Sequence, residues 1–292
     1  MKRYILLLTA AVLMGQIQAA AKSIRIAAAL PDLGSIASYI GGNHVEVFSI
    51  AKNNSNPHFV EVLPSYMIKV SRADLYLKVG LALDQWSDEI IDGSRNNDLL
   101  VVDCSAGIPV LQKPTGKVDA SLGDVHPEGN PHYWLDPSNG VAIAGNILSG
   151  LLKADPSNAS VYEANFERFK NEAGERIAGW KQKMSKLSGS KMIGYHSSWV
   201  YFASAFGLTI AGYVEPFPGI PPTGKHLSEL IDLIKRDAVS VLIQEPYFPD
   251  EVPQFLARQT GIRVFKIAPS CADVEPDSYF NHFDDAVDQL TR

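Results

Sequence analysis

The chain has 292 residues, 46% hydrophobic and 20% charged. That is the composition of an ordinary globular protein, long enough for two domains. Its net charge is −6, and no basic patch with interleaved aromatics occurs, which argues against a nucleic-acid partner. The two cysteines, Cys104 and Cys271, lie far apart and form no CxxC pair, which excludes a cysteine zinc motif.

Lys2 and Arg3 precede an apolar run over residues 5–14, and Ala19-Ala20-Ala21 follows. This is the pattern of a secretory signal peptide, residues 1–21, cleaved after Ala21. The run is too short to span a membrane, which takes ~20 residues, and no later stretch is long and apolar enough. No Cys stands at the cleavage site, so a lipid anchor is not expected. The expectation is an exported, periplasmic, non-spanning protein that acts as a monomer. Loss of Lys2 and Arg3 takes the net charge from −6 to −8, which weakly suits a cationic ligand.

Apolar runs predict strands over 24–30, 45–51, 73–79 and 99–103. Helical patterns fall between them, over 31–40 and 64–70. Strands alternating with helices imply a parallel sheet in an α/β lobe, residues 22–155. Residues 110–130 are rich in Gly, Pro, Asp and Lys and read as an exposed loop. Asp136-Pro137 reads as a helix start, with Asp as N-cap and Pro at the first helical position. The apolar helix itself covers 141–152.

Tyr162, Phe166, Phe169, Ile177, Trp180 and Met184 recur at helical spacing. They predict one helix near 30 residues within 156–188, a rigid connector of roughly 45 Å. A dimeric coiled coil is the alternative, but the stripe lacks a sustained heptad. The second half, 189–292, repeats the α/β order. Strands are predicted over 191–195, 208–214, 239–244 and 263–267, and helices over 198–206, 226–236, 252–260 and 278–290. The fold class is α/β: two parallel-sheet lobes joined by one long helix.

Three histidines sit on short stiff loops or strand ends. His58 and His132 each follow Asn-Pro, and His196 ends a strand. A residue before Pro avoids the α region, so each Asn-Pro-His marks a turn. Neutral imidazole is the commonest side-chain zinc ligand. Glu245 also ends a strand, where ligands bind in such sheets.

Asn-Pro-His58, Asn-Pro-His132-Tyr-Trp-Leu-Asp-Pro and Tyr-His196-Ser-Ser-Trp, with Tyr162 and Asn165 on the connecting helix, resemble the zinc/manganese-binding substrate-binding proteins of ABC transporters. The resemblance covers essentially the whole mature chain. It implies metal held between two lobes and delivered to a membrane permease, without catalysis. The family's three imidazole positions match His58, His132 and His196. Manganese-type members tend to carry a carboxylate at the third position; the imidazole here favours zinc over manganese. Many members place Asp before Pro near the last strand, where this chain has Ala268-Pro269. The fourth ligand is therefore open among Glu245, Asp273 and water, with Glu245 first.

The short loop before His132 carries Asp119, Asp124, His126 and Glu128. It reads as a solvated acidic loop that at most catches zinc weakly. His44, His226 and His282 match no motif and read as ordinary histidines. Cys104 and Cys271 both follow predicted strands; an interlobe disulfide and two unpaired thiols stay equally open. Two other functions stand beside transport. Three histidines with an open position also suit an exported zinc hydrolase, but HExxH is absent. Some members of the family are adhesins, and nothing in the chain separates that role from transport.

Overall fold

The computed structural model describes residues 23–116, 123 and 126–292. The expected signal peptide, residues 1–21, and Asp119 and Asp124 lie outside the described residues. The first half holds β1 (Ile24–Ala28), α1 (Pro31–Gly41), β2 (Val45–Ser49), α2 (Pro64–Val70), β3 (Leu75–Lys78), α3 (Trp86–Ser94), β4 (Leu100–Asp103) and α4 (Asn139–Ala154). Helix α5 (Ala159–Met184) follows. The second half holds β5 (Lys191–Gly194), α6 (Val200–Ala205), β6 (Thr209–Tyr213), α7 (Gly224–Arg236), β7 (Val241–Gln244), α8 (Glu251–Thr260), β8 (Arg263–Lys266) and α9 (Ser278–Thr291).

Both four-stranded sheets are parallel throughout, and their orders are equivalent: β2-β1-β3-β4 and β6-β5-β7-β8. In each, the chain turns opposite ways from the first strand, which opens a crevice at the strand ends. In the second sheet that switch point lies between β5 and β7. His196 follows β5 by two residues and Glu245 follows β7 directly, so both are delivered to one crevice. Successive residues of β5 and β7 alternate faces, as strand geometry requires. Met192, Val241 and Ile243 join the main core, while Ile193 and Leu242 join a second cluster under α7 and α8.

Helix α5 has 26 residues, about 39 Å at 1.5 Å each. Its buried stripe is Tyr162, Phe169, Ala173, Trp180 and Met184, at steps of seven and four. Phe169 meets Tyr39 of α1 edge-on at 5.2 Å and stacks on Phe280 of α9 at 4.9 Å. So the last helix does more than close the second sheet. It returns to pack on α5 and α1, and one core runs through both halves. No helix among the described residues is long and apolar enough to cross a membrane.

Two local readings change. Helix α4 begins at Asn139, not at Pro137. Residues Tyr133–Leu135 form a separate 3₁₀ turn, and Asp136 Oδ1 accepts from the Ser138 N–H at 2.8 Å. Asp136 therefore stabilises the turn ahead of the helix instead of capping it. Helix α3 has no counterpart in the sequence reading. Its buried Trp86, Ile90 and Ser94 do recur every four residues, but polar positions between them leave the stripe thin. Cys104 and Cys271 are both buried and neither is in a disulfide.

Candidate metal centre

The structure brings His58, His132 and His196 together. One ring nitrogen from each lies within 4.8 Å of the others. Nε2 of His58 and of His132 are 3.0 Å apart. Ring centroids are 5.1, 5.2 and 5.4 Å apart for the three pairs. A tetrahedral zinc with bonds near 2.0–2.1 Å spaces its ligand atoms by ~3.3 Å, so the three imidazoles need little movement to hold one.

Each histidine is placed by a local device. In both Asn-Pro-His segments the histidine N–H donates to the asparagine Oδ1 two residues back, at 3.0 Å for His58 and 3.0 Å for His132. This side-chain turn explains why the tripeptide recurs. Trp86 Nε1 donates to the Pro57 carbonyl at 2.9 Å and pins the first loop to α3. Tyr133 donates to the Val79 carbonyl at 2.8 Å, and Trp134 Nε1 to the Pro269 carbonyl at 2.7 Å. The second loop is thus tied both to the end of β3 and to the far half of the chain.

The hydrogen bonds also set the ring faces. Asn130 Nδ2 donates to Gln112 Oε1 and to the Ser197 carbonyl, so its Oδ1 points at His132. Nδ1 of His132 lies 3.0 Å from that oxygen and must carry the proton. This assignment follows from the network. His132 is almost fully buried, and burial, then the neighbouring His58, His196 and His126, hold its pKa well below the ordinary histidine value. A neutral imidazole with a bare Nε2 is the form that ligates. Nδ1 of His196 lies 2.7 Å from Glu215 Oε2, and its buried Nε2 has no hydrogen-bond partner.

Glu245 lies outside the group of three but beside it. It is fully buried, and neither carboxylate oxygen has a hydrogen-bond partner. Burial raises its pKa; the nearby His196 and the Ser198 hydroxyl, which lies outside hydrogen-bonding geometry here, pull the other way more weakly. Asp273 is engaged elsewhere, since its Oδ1 accepts from the Glu275 N–H at 2.9 Å and from the Ser278 hydroxyl. His126 departs from the solvated-loop reading. It is 9% exposed, and its ring centroid lies 5.1 Å from that of His58. His44 packs edge-on to Tyr162 and His226 Nε2 meets the Tyr213 carbonyl at 3.0 Å. Burial lowers His282 to about 4. None of these three joins the group.

The sequence reading missed Glu215 and the second role of Asn130. Glu215 lies 19 residues beyond His196 and meets it only because β5 and β6 are neighbours. Asn130 was legible as a turn former, but not as a bridge to Ser197.

This fold, with an imidazole cluster of two buried and one half-buried ring between two sheets, defines a solute-binding protein for a metal ion. Residues 26–292 match the family described as ZnuA, zinc-uptake complex component A, periplasmic, and the chain belongs to that family. The family is one of ABC-importer solute-binding proteins, not enzymes. The chain is 24% identical over 286 residues to the manganese ABC transporter substrate-binding lipoprotein PsaA of Streptococcus pneumoniae serotype 4, covering 92% of this chain and 88% of that one. It is 24% identical over 250 residues to the iron-binding protein YfeA of Yersinia pestis, covering 82% and 75%. A crystal structure of ZnuA superposes with a TM-score of 0.80 at 25% identity, covering 92% of this chain and 98% of that one.

Proposed function

We propose that this chain is a periplasmic zinc-binding protein that delivers its ion, as a monomer, to the permease of an ABC importer. Its leader is residues 1–21. His58, His132 and His196 are the ligands, and Glu245 is the fourth. The observation that carries the reading is the convergence of three imidazoles, two of which, His132 and His196, have Nδ1 engaged by a neighbouring oxygen and Nε2 left bare for an ion. Three neutral nitrogens suit zinc, whereas manganese prefers oxygen-rich sites. Glu245 supports the assignment because a fully buried carboxyl outside hydrogen-bonding geometry can hold its charge only with a cation beside it, which the ion would supply. It would also halve the charge of a dication held by imidazole alone.

The test is competition. The purified protein is given zinc and manganese at equal concentration, and bound metal is counted. Zinc should dominate; a manganese preference overturns the zinc reading. His58→Ala, His132→Ala and His196→Ala should each weaken zinc binding by orders of magnitude, and Glu245→Gln by less. Unchanged affinity removes that residue from the ligand set.

A further inference from the structure

Two carboxylates are buried beside His196, and only one of them touches it. Glu215 Oε2 lies 2.7 Å from His196 Nδ1, with both side chains under a tenth exposed. A carboxylate has no proton to give in its charged form, so the imidazole donates through Nδ1. The same oxygen accepts from the Gly219 N–H at 3.0 Å. Gly219 has φ +77, a conformation glycine adopts at little cost. The turn is closed by the Ile220 N–H donating to the Phe217 carbonyl at 2.9 Å, and Pro216 and Pro218 stiffen it. Glu215 therefore cannot swing away from His196 without also giving up its hydrogen bond from the Gly219 N–H.

We propose that Glu215 is the positioning residue of the metal centre: it fixes the proton of His196 on Nδ1 and presents Nε2 to the ion. The inference rests on His196 being a ligand. His132 has a neutral partner, Asn130, whereas His196 has an anionic one. The asymmetry makes His196 the more strongly donating imidazole, because a charged acceptor strengthens the bond and raises ligand basicity. It also bears on charge. Glu245 at the ion and Glu215 one bond removed together balance a dication, which eases its burial between the sheets.

The experiment reads the tautomer and the affinity separately. The metal-free protein carries ¹⁵N-labelled histidine, and His196 is assigned from the spectrum of His196→Ala. The expected result is Nδ1–H with an unprotonated Nε2 for His196 in the unaltered protein. In Glu215→Ala that preference is lost, and zinc affinity falls about 10- to 100-fold. Glu215→Gln, which keeps an acceptor oxygen, restores the tautomer and most of the affinity. An Nε2–H tautomer in the unaltered metal-free protein overturns the proposal. So does Glu215→Ala that folds and binds zinc unchanged. If the tautomer is as stated but His196→Ala binds zinc normally, the ligand reading of His196 fails, and with it the metal role of Glu215, while the hydrogen bond stands.

Discussion

Asn130 donates its side-chain amide to the backbone carbonyl of Ser197 at 2.8 Å, 67 residues further along the chain. Through its other side-chain atom it holds both the N–H and the Nδ1 of His132. Ser197 is the neighbour of His196. One asparagine thus sets the position of one imidazole and the distance to another.

Replacing Asn130 by Ala should therefore weaken zinc binding about 10- to 100-fold, the range for outer-shell partners. Calorimetric titration checks this. The loss should exceed that of Asn56→Ala, because among the described residues the Asn56 side chain holds the N–H of His58 and no ring nitrogen.

Asp32 gives a pH dependence with a definite sign. It sits in the first turn of α1, fully buried, and its Oδ1 accepts from the Cys271 N–H at 3.2 Å in the other half. Burial pushes its carboxyl from 3.8 up to about 6, against the pull of Ser270 and Cys271. Between those values the folded chain holds the proton more than the unfolded chain does. Stability is then highest in acid and falls as pH rises through about 6, by up to ~3 kcal/mol from this group. Asp32→Asn should remove that decline. Urea unfolding of both proteins at pH 4.5 and 7.5 measures it; the variant should gain on the natural protein only at the higher pH.

Asp284 of α9 accepts from Arg176 at 2.7 Å and from Trp180 Nε1 at 2.7 Å, both on α5. The arginine pair is part exposed and contributes about 0–1 kcal/mol. The indole is buried, so leaving its N–H unpaired costs about 1–3 kcal/mol. Asp284→Ala should then destabilise more than Arg176→Ala does through its ion pair, and Asp284→Asn should recover most of the loss. Thermal unfolding of the three variants checks the order.

Gly140 lies in the first turn of α4, where alanine would ordinarily gain up to about 1 kcal/mol of helix propensity. A Cβ there would come 2.8 Å from the ring and hydroxyl of Tyr279. Tyr279 is fully buried and donates to the Trp134 carbonyl at 3.1 Å. Overpacking of about 1–3 kcal/mol should win. Gly140→Ala should melt lower than the natural protein, with a far-UV spectrum unchanged.

All eight strands were legible because each is a short apolar run bounded by turn residues; the inner strands β1, β3, β5 and β7 are mostly buried, as in a covered parallel sheet, while the edge strands β2, β4, β6 and β8 stay half-buried or exposed. The connector helix was legible from its stripe. Boundaries set by side-chain turns were not: Asp136-Pro137 has the composition of a helix start, yet the turn it builds ends before α4 begins. The return of α9 onto α1 was hidden because Phe280 and Phe283 mark a buried face without naming its partner. At the site, the histidines were legible from Asn-Pro and strand ends. Glu215 was not, since nothing local links it to His196; only the pairing of β5 with β6 does.

The continuous core has a consequence for how the chain comes apart. β5 and β7 contribute alternate residues to the main core and to the cluster under α7 and α8, so neither cluster can melt while the other stays ordered. Despite its two sheets, the chain should unfold in a single calorimetric transition whose van't Hoff and measured enthalpies agree. An ion bound at the seam would then raise the melting temperature of the entire chain by mass action, leaving no half behind.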